Sequence, residues 1–175
     1  MTLQVDIPTL ETERLILRAP QIGDGDLFAE FVKTERSRFV GGPNDDKRAS
    51  SRAWGHLTGL WVLRGYSSLV WCLKDGTVIG HGGPWYPATW PEPEFGWCIW
   101  SDEFEGQGYA TEAITALHDW TFDTLGLNTC VAYINPENTP SIRLAERIGG
   151  KIDRSACQPF DDEVVCIYRF EPGAA

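Results

Sequence analysis

At 175 residues the chain suits a single domain over its whole span, 1–175, burying about two-thirds of the surface it exposes when unfolded. Its net charge of −10 argues against nonspecific nucleic-acid binding, which needs a basic face to neutralise phosphates. The same charge suits a cationic amine partner, or simply solubility. No apolar run reaches the roughly 18 residues that a membrane span needs.

The N-terminus, Met1 to Asp6, lacks the basic start and apolar core of a signal peptide. Arg14–Ala19 alternates as a first strand. Gly23-Asp24-Gly25-Asp26 leads into a helix through Val32, with Asp26 as its cap. Asn44 or Asp45 caps a second helix running to about Leu63, which Gly65 can end. Trp54 and Trp61 share one face of that helix, a pattern that signals core packing before binding. Ser67–Leu73 and Thr77–Gly82 flank Lys74-Asp75-Gly76, a hairpin signal. An aromatic, proline-rich loop from Trp85 to Pro93 follows, then a strand over Glu94–Trp100 and a helix over Tyr109–Leu125. Leu127–Ile134 reads as a strand, Asn138–Ile148 as a short helix and Val164–Phe170 as the closing strand. Strands alternating with helices define an α/β fold.

Five cysteines (Cys72, Cys98, Cys130, Cys157 and Cys166) are odd in number and lack CxxC spacing, so they read as reduced residues of a cytoplasmic protein. His56, His81 and His118 are scattered, and no metal site is expected.

The most informative segment is Glu105-Gly106-Gln107-Gly108-Tyr109-Ala110-Thr111-Glu112-Ala113, between a strand and a helix. Two glycines there leave backbone N–H groups uncovered at the positive end of a helix, a ready site for a phosphate or pyrophosphate. The bland alternative is a tight turn with no ligand. A P-loop is excluded because no lysine follows Gly108, and the dinucleotide fingerprint fails at Thr111, where a small residue is required.

This segment resembles the acetyl-CoA signature of the GNAT N-acetyltransferases, Arg/Gln-x-x-Gly-x-Gly/Ala, with Gly108 and Ala110 at its last two fixed positions. Tyr109 to Ala113 is similar to the form found in ribosomal-protein N-terminal acetyltransferases. Thr12 to Arg18 resembles that branch's first strand, Gly41-Gly42-Pro43 its turn before the second helix, and Asn135 to Ser141 its Asn-x-x-Ser segment. The resemblance implies a mixed, mostly antiparallel sheet of about six to seven strands flanked by about four helices. It implies transfer of an acetyl group from acetyl-CoA to a primary amine, either a protein N-terminal amine or a small molecule. The alternative is a noncatalytic acyl-CoA-binding or sensing module.

By that resemblance Gly106, Gln107, Gly108, Tyr109, Ala110 and Thr111 hold the pyrophosphate. Trp97, Cys98, Ile99 and Trp100 run beside the pantetheine and thioester, and Asn138 lies near the cofactor arm unless it only caps a helix. Glu94 is the candidate base, against a solvated carboxylate. Ser141 is the candidate proton donor to the leaving thiolate, against first-turn capping. Trp85, Tyr86 and Trp90, with the region from Arg38 to Asp46, are candidates for acceptor contact, and the apolar loops allow a homodimer. Three positions depart from the family pattern: Glu105 replaces Arg or Gln, Ala145 replaces a frequent tyrosine, and Gly150 replaces a usual phenylalanine.

Overall fold

The computed structural model of the protein describes residues 5–161 and 163–173. The elements run in the order β1 (Leu10–Glu11), β2 (Leu15–Arg18), α1 (Asp24–Val32), α2 (Lys47–Arg64), β3 (Leu69–Leu73), β4 (Val78–Trp85) and β5 (Glu94–Ile99). They continue with α3 (Tyr109–Asp119), β6 (Cys130–Ile134), α4 (Thr139–Arg147), β7 (Lys151–Ile152) and β8 (Cys166–Phe170). Eight strands form one sheet in the order β1-β2-β3-β4-β5-β6-β8-β7. The α/β class, the antiparallel character and the helices match expectation. The strand count exceeds the expected six to seven because β1 and β7, of two residues each, are too short to show alternation.

Local chemistry explains where elements begin and stop. Asp24, rather than Asp26, is the working carboxylate at the start of α1: it is buried, accepts from the Gln21 N–H at 2.6 Å, and pairs with both terminal nitrogens of Arg18 at 2.8 and 2.9 Å. Asp46, rather than Asn44 or Asp45, caps α2 by accepting from the Arg48 N–H. Asn44 Oδ1 instead holds the Asp46 N–H, one step earlier in the same turn. Gly65 ends α2 as expected. The helix expected through Leu125 leaves α-geometry after Asp119 and finishes as a wider π-turn over Trp120–Thr124.

One face of the sheet packs against α3 and the end of α2, burying Trp61, Trp71, Phe95, Ile114, Leu117 and Phe170. A second cluster gathers Phe28, Phe31 and Trp100 with Trp54 around the buried His81, which accepts from the Trp100 indole N–H at 3.0 Å. Trp54 and Trp61 therefore both serve packing. Burial lowers the His81 pKa to about 4, so the ring is a neutral acceptor inside this cluster.

Ala145 and Gly150 find their explanation in the same core. Ala145 is fully buried in the main core cluster and lines neither cavity, so a tyrosine there would meet the core rather than the cleft. A Cβ on Gly150 would lie 2.7 Å from both the Ala145 carbonyl oxygen and the Phe170 ring. Phe170 thus occupies the volume that a side chain at 150 would need. Gly150→Ala is expected to lose about 1–3 kcal/mol through overpacking, measured by urea denaturation.

Candidate acetyl-transfer site

The site originates in a failure of pairing. β5 and β6 are the only parallel neighbours among the described strands, and their ladder registers at a single pair, Glu94 with Val131, supported by the Val131 N–H donating to the Pro93 carbonyl at 2.9 Å. Beyond it the two strands separate while β5 stays paired with β4 as far as Ile99. The wedge between them opens into a cleft of about 820 Å³. Trp97, Cys98 and Ile99 form one wall, and Gly106, Gly108, Tyr109, Ala110 and Thr111 lie along it. A smaller cavity of about 80 Å³ continues toward Glu94 and shares Phe39, Trp97, Asn138 and Ser141 with the main cleft.

Gly108 stands at the N-cap of α3 with φ 84°, a left-handed conformation that suits glycine and turns the chain sharply into the helix. No side chain caps this helix start, so its first N–H groups are available to an anion. The turn is clamped from the N-terminal strand. Arg14 Nη1 donates to the Gln107 carbonyl at 2.9 Å, while its Nε and backbone N–H both reach Glu112, at 2.6 and 2.8 Å. Thr12 Oγ1 donates to the same carboxylate. Burial works against the Glu112 anion, but these hydrogen bonds outweigh it and lower its pKa.

Glu105, the acid standing where the family carries Arg or Gln, is neutralised from elsewhere in the chain. Arg36 leaves the short turn Glu35–Ser37 and pairs with Glu105 at 2.5 Å, while the same nitrogen donates to the Ile99 carbonyl at 3.1 Å. Its Nε is buried without a partner. Arg36, Arg38, Arg143 and Arg147 all line the main cleft, so a chain of strongly negative net charge concentrates cations here. Arg38 entered the sequence reading only as the start of a region expected at the acceptor, and Arg36, Arg143 and Arg147 were missed because they come from separate segments; only the spacing of Arg143 and Arg147 on one helical face hinted at them. A glycine turn at an open helix end, an arginine-rich wall and a long cleft fit a nucleotide pyrophosphate joined to an extended thioester arm.

At the narrow end, Glu94 is buried and accepts from the Trp90 indole N–H. Burial pushes its pKa up to about 8, and neighbouring N–H groups of Trp90, Trp85 and Tyr133 offset this only in part. Ser141 does not cap α4; Asn138 does, accepting from the Ser141 N–H at 3.3 Å. The Ser141 hydroxyl accepts from the Trp97 indole N–H at 3.1 Å, which leaves its own proton free to donate. Asn138 keeps its amide N–H₂ for the cleft that it lines.

Other candidates lie elsewhere. The Trp100 side chain turns into the second hydrophobic cluster. The Gln107 side chain folds back onto the Glu103 carbonyl, although its backbone stays in the turn. Trp85 and Trp90 pack on each other at 5.5 Å behind Glu94, and Tyr86 is held by Arg64, whose guanidinium stacks 4.3 Å from its ring. None of the three lines either cavity, whereas Arg38, Phe39 and Val40 do. Among the described residues no group of three or more His, Cys, Asp or Glu is placed to hold a metal ion, and no helix is long and apolar enough to cross a membrane.

Residues 14–151 match the acetyltransferase (GNAT) domain family, and the chain belongs to it. An acetyltransferase from Agrobacterium tumefaciens is 38% identical, with 98% of each chain covered and a TM-score of 0.88. The N-acetyltransferase p20 of Bacillus licheniformis is 29% identical over 78% of each chain. The fold is shared with a ribosomal-protein-serine acetyltransferase from Vibrio cholerae, at 20% identity, 94% and 97% coverage and a TM-score of 0.74. The protein is thus an acetyl-CoA-dependent N-acetyltransferase that transfers an acetyl group to an amine.

Two outcomes follow from this geometry. Arg36→Ala should weaken acetyl-CoA binding about tenfold by calorimetry, through loss of a charge-assisted contact, whereas Glu105→Gln, which removes a negative charge and releases Arg36 toward an anion, should leave it unchanged or tighten it. Glu94 carries a folded-state pKa of about 8 against an ordinary 4.5, so the native protein holds this proton more tightly than the unfolded chain. Its contribution therefore turns against the fold as pH rises from about 4.5 to about 8. Glu94→Gln should raise the melting temperature at pH 9 and change it little at pH 4; equal shifts at both would contradict a buried, titrating Glu94.

Proposed function

We propose that the protein acetylates a protein N-terminal amine or a small-molecule amine in the cytoplasm, with Glu94 as the base and Ser141 as the proton donor. The observation that carries this reading is the placement of both groups on one narrow cavity that opens from the cofactor cleft. Acetyl-CoA supplies the acyl thioester. Glu94 takes the proton that the amine loses as the carbon–nitrogen bond forms, and Ser141, fixed by Trp97, gives its proton to the sulfur as the carbon–sulfur bond breaks; the proton on Glu94 then returns to Ser141 through solvent, which restores both groups. The turn from Gly106 to Thr111 and the cleft arginines hold the donor in register, so that the reaction gains from orientation.

Proton affinities support the assignment. A base titrating near 8 matches an α-amine of pKa about 8, whereas a lysine-like amine near 10.4 sits roughly 3 kcal/mol uphill from it. The features that favoured a binding-only module are accounted for by Arg36 opposite Glu105 and by the buried Ala145. Five free cysteines, Cys72 and Cys130 among them buried, support a reducing compartment.

Thiol release from acetyl-CoA over a panel of N-terminal peptides, lysine peptides and small amines tests the activity. In the wild type, kcat/KM should rise with pH through about 8, and Glu94→Gln should remove that rise and cost about 10²–10⁴ in rate. Ser141→Ala should lower turnover while leaving acetyl-CoA affinity unchanged. Full turnover in the serine variant would remove Ser141 from the mechanism.

A further inference from the structure

The acceptor end of the cleft has a composition unlike the cofactor end. Its cavity of about 80 Å³ is walled by Phe39, Val40, Trp97 and Tyr133, with Glu94 as the single charged side chain among its described lining residues. The space admits the amine end of a ligand and leaves the rest of it at the mouth. Apolar and aromatic walls favour a hydrocarbon next to the nitrogen.

A second ammonium would find little compensation in this setting: Glu35 lines the main cleft but is exposed, where an ion pair gains little over water. Glu92, close behind the site, is engaged by both terminal nitrogens of Arg169 at 2.7 and 2.9 Å. Glu105 is engaged by Arg36. Glu163, at the outer edge, accepts from Asn135 at 2.9 Å and is exposed, where an ion pair gains little over water. The Phe39 ring is already covered by the Arg38 guanidinium at 4.5 Å, which would repel another cation there. Four arginines against Glu35 and Glu105 leave the adjoining cleft net positive and extend that repulsion. An unpaired ammonium drawn into such a site loses hydration without compensation.

We propose that the acceptor is a primary monoamine whose nitrogen is followed by an apolar or aromatic body, and that polyamines and amino sugars are disfavoured because one carboxylate serves the whole acceptor cavity. This rests on the reading of Glu94 and its cavity as the acceptor site. It is separable from the catalytic roles, because acceptor binding is measured without turnover.

The test compares phenylalanine amide, an α-amine on an aromatic body, with spermidine and kanamycin in two ways: calorimetric titration into the protein saturated with CoA, and kcat/KM with acetyl-CoA. Phenylalanine amide should bind and react at least about tenfold better than either polycation, a margin of the kind set by unpaired polar groups. Val40, half-exposed at the rim, offers a gain-of-function variant. Val40→Glu adds a second carboxylate and should raise the spermidine-to-phenylalanine-amide ratio of kcat/KM at least about fivefold by direct charge pairing. Preferential monoamine binding without turnover would uphold the acceptor class and overturn the catalytic assignment. Faster acetylation of spermidine or kanamycin would overturn the acceptor class and leave acetyl transfer standing. Equal affinities, no binding by any of the three, or a Val40→Glu ratio that does not move would each overturn the proposal.

Discussion

The separation of β5 from β6 after one shared register position is the constraint on which the rest of the structure depends. A fully laddered pair would satisfy its backbone groups internally and leave no cleft. Here the strands meet at Glu94 and Val131 and then part, so the backbone of Trp97 to Ile99 lies open on one side while β4 holds it rigid on the other. The divergence places the buried carboxylate at the apex of the wedge and the glycine turn at its open end. Rigidity on the β4 side matters, since a site built on a paired strand keeps its geometry better than one on a loop.

Charge is distributed to match. The chain is acidic overall, yet the main cleft is lined by four arginines, recruited from the turn after α1 and from α4, against two glutamates, Glu35 and Glu105. Arg36 binds both a carbonyl of the open strand and the acid of the glycine turn, joining the two walls through one guanidinium. At the apex the logic reverses: one carboxylate is retained, and burial raises its pKa toward the range of an amine. The Trp90 indole holds that carboxylate from behind, and Trp85 packs on Trp90; neither lines the cavity.

Much of this was legible in the sequence. The glycine turn, the strand before it, the hairpin at Asp75-Gly76 and the final strand are local signals, and each landed close to its place. Glu94, Ser141 and Asn138 could be singled out because motif order put them near the thioester arm. What local patterns did not carry was contact between distant segments. Arg36 and Glu105 lie 69 residues apart, so the acid at 105 looked like a defect until its partner was seen. Trp85 and Trp90 looked like acceptor contacts because loops usually face solvent, whereas here the loop folds inward over Glu94. Two-residue strands and the exact capping residue escape pattern reading for a simpler reason, since too few residues carry the signal.

The clamp on the glycine turn has a consequence for the order in which the molecule becomes competent. Arg14 and Thr12, in the turn between β1 and β2, fasten a helix whose Glu112 lies 98 positions beyond Arg14. The turn at Gly106 to Gly108 therefore lacks its outer brace until the β1–β2 turn has docked against it. A nascent or partly folded chain can form the helix and still hold no rigid anion cradle. On the proposed reading of this turn, cofactor affinity reports on completion of tertiary structure, and acetyl-CoA, by binding the finished form, joins these two distant segments into one cooperative unit.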